Sequence, residues 1–227
     1  MAKVSLSDHM REHRAETPEE IEKAGPFITI SRQYGCYGFS LGLLLLDILT
    51  EETPENPWKI YHKDILSSLA TETNLEEETL ERERRSKPRL IVDFLRSFSG
   101  DRVPSGYEIR NRIMTLIRSL AIEGQAVIVG QGGAAATYDL PNGLSIRLEA
   151  PEEWRAKQVA FREGISETEA VMRIKAKEQD RDYLKKVYER RFPNRPAFNL
   201  VYDCSAFSLA QIAQHTVYAM RLKGCMA

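Results

Sequence analysis

Apolar, β-branched residues run from Phe27 to Ile30. After a short glycine-containing stretch the chain turns strongly apolar again, in a helical pattern from about Phe39 to Thr50. A strand over 27–32 and a helix over 39–50 follow from that change of period. Trp58-Lys59-Ile60-Tyr61 reads as a short strand after the turn Thr53-Pro54-Glu55-Asn56-Pro57. Helical patterns then cover roughly 63–72, 76–86, 88–98 and 107–123, broken at Gly100-Asp101 and Pro104-Ser105-Gly106. Ala126–Val129 is a buried-strand run, Leu144–Leu148 another, and Pro151 opens a helix. Ser166 with Glu169 forms a capping box for a helix of about 20 residues, and Ser208 with Gln211 caps a last helix to Leu222. Phe198–Asp203 is the final strand. Residues 1–24 form a charged arm, helical from Pro18 to Ala24, and Gly25-Pro26 marks its boundary. No internal repeat is visible.

Strands alternating with helices predict an α/β fold: a parallel sheet of about five strands, Ile28–Arg32 central, with helices on both faces. Ligands bind such sheets at the carboxyl ends of the strands, which places Arg32–Ser40, His62 and Gln131–Gly133 on one rim. The first of these loops has the layout strand, glycines, helix, with Gly35 and Gly38 ahead of the helical run. Glycines admit phosphates close to the backbone, and N–H groups at the helix start point at the anion. A P-loop ends in Gly-Lys-Ser/Thr. Here the loop ends Gly38-Phe39-Ser40 and has no lysine.

Composition narrows the function classes. The 227 residues are 42% hydrophobic and 29% charged with a net charge of −1, a soluble globular profile without the basic excess that nucleic acid or an anionic membrane attracts. The apolar run Leu41–Leu49 is short and broken by Asp47, so no membrane span is expected. Cys36, Cys204 and Cys225 give neither a disulfide framework nor metal spacing, and the expected location is cytoplasmic.

Five motifs in order carry a resemblance. Ile28-Thr29-Ile30-Ser31-Arg32 with Tyr34-Gly35, the run Val127–Gly132 (VIVGQG), Ile146-Arg147-Leu148 with Ala150-Pro151, the pair Asp180-Arg181, and Asn199–Asp203 followed by Ser208 together resemble the cytidylate-kinase-like family, P-loop relatives of the bacterial CMP kinases. The resemblance covers about residues 26–222. It implies a P-loop NTPase-type sheet, a helical acceptor-binding insertion over about 62–123 and a lid over about 155–190. It also implies a γ-phosphoryl transfer from ATP with Mg²⁺ to a small acceptor such as a nucleoside monophosphate. In such chemistry the protein mostly positions and neutralises charge.

Carried over by position, Arg181 and Asp182 match the Asp-Arg-Asp lid motif, and Lys185 falls at a second lid arginine. Arg112 matches an acceptor-phosphate arginine, and Ser40 the hydroxyl that touches Mg²⁺. Arg32, Gly35, Cys36, Tyr37, Gly38, Phe39 and Ser40 would line the nucleotide phosphates. His62, Lys63, Arg112 and Gln131 would face the acceptor. The departures are specific. Gly38 stands at the P-loop lysine, Tyr37 at the preceding glycine, Phe39 where many relatives have arginine, Gln131 at the arginine of the Gly-Arg-Gly motif, and Gly132 at an aspartate.

Several residues admit two readings. Arg32 either replaces the lysine or pairs with a carboxylate of the rim. Arg155 and Arg162, seven apart, share a helix face and either reach the cleft or lie in solvent. His62 is catalytic or structural; Cys36 is loop filler or a helix-start thiol of lowered pKa. Trp58 and Trp154 read as packing residues, and Glu81–Arg85 as a solvated helix face. Two functions stand side by side: a kinase, and a nucleotide-binding or regulatory module that has lost the chemistry. The arm leaves room for a homodimer.

Overall fold

The computed structural model describes residues 18–22, 24–62, 106–191 and 197–226, with side chains described over 24–62, 113–179 and 197–226 and at positions 19, 21 and 22. Helix α1 (Pro18–Glu22) precedes β1 (Phe27–Arg32). Then come α2 (Gly38–Glu52), β2 (Lys59–Tyr61), α3 (Gly106–Glu123), β3 (Ala126–Val129) and α4 (Gly133–Ala136). The chain continues through β4 (Gly143–Glu149), α5 (Glu152–Glu163), α6 (Glu167–Arg191), β5 (Leu200–Asp203) and α7 (Leu209–Leu222). The strands form one sheet in the order β2-β3-β1-β4-β5, with every pair parallel and β1 in the centre, as the sequence predicts.

Alternation along β1 splits the core in two. Ile28 and Ile30 point to one face, where they meet Leu41, Leu45 and Leu49 of α2 and Ile212, Ala213, Val217 and Met220 of α7. The spacing of the three leucines puts them on a single helix stripe. Phe27 points to the other face and packs with Ile128 and with Ile113, Leu116, Ile117 and Leu120 of α3. At the amino ends of β1 and β3 the backbones of Gly25 and Gly124 touch, and a Cβ on either glycine would collide with the other's main chain.

The differences from the sequence reading are local. α2 begins at Gly38 and runs to Glu52, β5 begins at Leu200, and α6 extends to 25 residues. The four-residue α4 has no counterpart in the sequence reading, because one turn of Gly-Ala-Ala-Ala has no periodic pattern. Both capping boxes are present: Ser166 and Glu169 exchange hydrogen bonds at the start of α6, and Ser208 and Gln211 do so at α7. The expected helices between 63 and 98, the Glu81–Arg85 run and arm residues 1–17 lie outside the described residues. Among the described residues no helix is long and apolar enough to cross a membrane.

Candidate functional site

The helix after β1 packs on the α7 face, whereas α4, after β3, packs beside Thr29 and Ile128 on the opposite face. β1 and β3 are neighbours, so a crevice opens between their carboxyl ends, the place where such sheets hold ligands. Arg32 ends β1 at this crevice. Its aliphatic stem lies against Gly38 at the start of α2, with Cδ 3.0 Å from where a Cβ would stand. Its guanidinium lies against Gly130, where any side chain would strike Nη1. Gly130 has φ +80° and Gln131 φ +54°, so the turn after β3 folds back sharply beneath the guanidinium. Tyr37 caps α2 without a side-chain hydrogen bond to the helix N–H groups. Phe39 is 42% exposed and meets the His62 ring edge-on at 4.7 Å between centroids. Ser40 is exposed on the first turn of α2. Of the residues expected at the strands' carboxyl ends, Arg32 and Gly38 share one contact set with Gly130, and Phe39 meets His62 in another.

The other side of the glycine loop is clasped by α5 and α6. Arg155, only 5% exposed, donates from Nε to the Ala150 carbonyl (2.9 Å) and from Nη1 to the Tyr34 carbonyl (3.2 Å) and Glu178 Oε1 (2.9 Å). Glu178 Oε1 also accepts the Tyr34 backbone N–H at 3.2 Å. A Cβ at Gly35 would lie 2.8 Å from Arg155 Cβ, so only glycine lets the loop pass this close. Tyr37 donates its hydroxyl to Gln158 Oε1 (2.9 Å) and meets Trp154 edge-on. Arg162 lies over both the Tyr34 and Tyr37 rings, 5.5 and 5.8 Å from their centroids. Thus the two arginines that sequence spacing put on one face part company: Arg155 is buried and structural, and Arg162 is a half-exposed cation on aromatic rings.

Glu163 gathers the clasp. It accepts from Arg162, Arg173 and the Tyr34 hydroxyl. The Arg162 hydrogen bond, with those from Tyr34 and Arg173, holds its carboxyl down to about 2, against the partial desolvation that opposes it. Burial and then the Glu163 hydrogen bond raise the Tyr34 phenol.

Cys36 corrects the helix-start reading. It is buried, and its thiol pKa is raised, not lowered, by a hydrogen bond to Cys204 and by burial in the core that both share. Trp58 is buried and Trp154 packs on the core, as expected.

Arg181, Asp182 and Lys185 fall on the last turns of α6 and Arg112 on α3; their side chains, and Lys63 altogether, lie outside the described residues. The backbone of 181–185 continues the helix that carries Glu178. Gln131 sits half-buried in the turn beneath Arg32.

Sequence reasoning missed Gln158, Glu163 and Glu178, whose partners are 121, 129 and 144 residues away. It also missed the line Ser31–Arg147–Glu149 on the α3 face of the sheet, where Arg147 donates to Ser31 Oγ (3.2 Å) and Glu149 Oε1 (2.6 Å) beside the Phe198 ring. Among the described residues no group of three His, Cys, Asp or Glu side chains is arranged to hold a metal ion. A Mg²⁺ ion here would rely on phosphate oxygens, as Mg²⁺ commonly does, with Ser40 as a protein hydroxyl.

A sequence model described as the cytidylate kinase-like family matches residues 27–206. No curated protein matches the chain. Among solved structures, an uncharacterized protein from Eubacterium ventriosum ATCC 27560 is similar at a TM-score of 0.56 and 20% identity, over 86% of this chain and 98% of that one. TT1252 from Thermus thermophilus aligns over 90% and 100% at 17% identity and a TM-score of 0.44. The first likeness concerns the fold.

Proposed function

Because the chain belongs to the cytidylate kinase-like family, we propose that it is an ATP-dependent phosphotransferase that passes the γ-phosphoryl group to a small acceptor, a nucleoside monophosphate such as CMP being the first candidate. One observation carries this reading. The loop lacks its lysine, yet the Arg32 guanidinium lies in the crevice between the start of α2 and Gly130, where a phosphate-neutralising cation is needed. Arg32 supplies the positive charge, and the backbone of Gly35–Ser40 cradles phosphate oxygens. His62, Lys63, Arg112 and Gln131 face the acceptor, and Arg181, Asp182 and Lys185 close over the transferred group. Mg²⁺ would arrive with ATP, with the Ser40 hydroxyl as its protein ligand, and would supply neutralisation of phosphate charge.

The test is ADP release with Mg²⁺ATP across a panel of nucleoside monophosphates. Arg32→Ala should weaken ATP binding and turnover together. Arg181→Ala should lower turnover by on the order of 100-fold with a smaller change in ATP affinity, as expected for a donor that acts in the transition state. A second reading, a nucleotide-binding module without chemistry, is favoured by the loop's own hydrogen bonds. The Cys36 N–H is turned onto the Gln33 carbonyl (3.2 Å) and the Gly38 N–H onto the Cys36 carbonyl (2.9 Å). ATP binding without ADP release for any acceptor would select it.

A further inference from the structure

The structure places one carboxylate at the junction of lid and loop. Glu178 Oε1 accepts both the Tyr34 backbone N–H (3.2 Å) and Arg155 Nη1 (2.9 Å). Arg155 cannot swing with it, because its guanidinium is also held by the Ala150 and Tyr34 carbonyls and the side chain is buried. Glu178 itself is about a quarter exposed. A fixed arginine and a loop N–H therefore grip a carboxylate that belongs to the other element.

Among the described residues, the buried apolar contacts of α6 with α5 use Ala170 and Ile174, earlier on the helix. Glu178 comes one turn beyond Ile174 and one turn before position 181 on the same helix.

We propose that Glu178 is a positioning residue. By seating its carboxylate on Arg155 and the Tyr34 N–H it fixes how α6 lies on the glycine loop, and so sets the path of the helix backbone through 181–185. For its kinetic consequence this rests on the phosphotransferase reading. A misplacement of about 1 Å at a distance from the reacting atoms can cost about 100-fold in rate, so a contact that holds a helix needs no part in the chemistry to govern it.

The experiment compares the full chain with Glu178→Ala and Glu178→Gln. Glutamine keeps the length and an acceptor for the Tyr34 N–H but drops the charge that Arg155 meets. Backbone hydrogen exchange is read at Tyr34 and at the helix amides of 180–186, with the amides of Ile28, Ile30 and Val127 as the check that the sheet is folded. In Glu178→Ala, exchange at Tyr34 and over 180–186 should rise at least about tenfold while the sheet amides stay protected. Turnover should fall about tenfold or more with the ATP KM changed less than about twofold, and Glu178→Gln should recover part of both.

Unchanged exchange at Tyr34 in both variants overturns the inference, as does raised exchange with an unaltered kcat. If Glu178→Ala does not fold, Glu178→Gln decides by the same readings. If the parent turns over no acceptor, the phosphotransferase reading fails by itself, and exchange over 180–186 alone then decides whether Glu178 holds that turn.

Discussion

The sheet and the α5–α6 pair are held by different forces. Between the sheet, α2 and α7 lies a continuous apolar core in which Ile28, Leu41, Leu45, Ile146 and Ile212 are fully buried. Between α5 and α6 the apolar contact among the described residues is Ala156, Val159, Ala170 and Ile174, with Tyr34, Ala160, Ile165 and Val171 at its margin. Beside it, among the described residues, stand polar links: Glu163 with Arg162, Arg173 and Tyr34, and Glu178 with Arg155. Apolar burial at roughly 25 cal/mol per Å² makes the first region the seat of global stability, while partly exposed ion pairs each contribute little. A small core joined by charges would suit the lid proposed above, since such an element could open without unfolding the sheet.

The largest effect that tests this contrast comes from paired cavities. Leu45→Ala, in the sheet core, should cost about 2–5 kcal/mol of global stability, read as a lower urea midpoint. Ile174→Ala is just as buried, but should chiefly raise hydrogen exchange in α5 and α6 and leave the amides of β1 and β3 protected. Equal loss of sheet protection in both variants would merge the two regions into one cooperative unit.

A smaller effect compares the two capping boxes. Ser208→Ala, on a helix packed into the sheet core, should lower global stability by about 1 kcal/mol. Ser166→Ala removes the same motif from α6, and its cost should be confined to fraying of that helix, visible as faster exchange of its first amides with little change in the urea midpoint.

Acid gives the smallest. The Glu163 carboxyl is depressed in the folded chain to about 2, chiefly by Arg162, so the folded state binds its proton later than the unfolded one. Its stabilisation is complete above the ordinary carboxylate value, about 4.3, and is lost as pH falls from there through about 2. Arg162 and Arg173 are substantially exposed, so solvent screens the pairs and the contribution stays within about 1 kcal/mol. Protection of α5 and α6 amides should decline over that window in the parent, and Glu163→Gln should show no such decline.

The same contrast explains what the sequence discloses. Ile28 and Ile30, Val127 and Val129, and the leucine stripe of α2 announce themselves by period, so the strands, their parallel pairing and the central place of β1 were legible. The capping boxes were legible because their partners are three residues apart. The clasp was not, because Tyr34 finds Glu163 and Glu178 across more than a hundred residues. Arg155 and Arg162 look equivalent by spacing and differ only through what lies opposite them: carbonyls and Glu178 for one, two tyrosine rings for the other. Cys36 stays open between two readings in the sequence for the same reason, since its helix-start position is visible there and its neighbour Cys204 is not. Of the candidate site, Arg32 and the glycine loop could be read from the sequence. The lid role proposed for Arg181, Asp182 and Lys185 rests on the motif.

The glycine contact at the far end of the sheet reaches further than its position suggests. Phe27 pairs with Ala126, so Gly25 stands level with Gly124, two residues before the ladder begins. Sliding β1 by one residue would bring Pro26 or Ala24 against that backbone, where neither has room. The pair thus acts as a stop against mispairing. A slip of one would turn every side chain of β1 to the wrong face and carry Arg32 away from Gly130. A screen for loss of the proposed nucleotide binding should therefore recover substitutions at Gly25 and Gly124, one strand length from the proposed site.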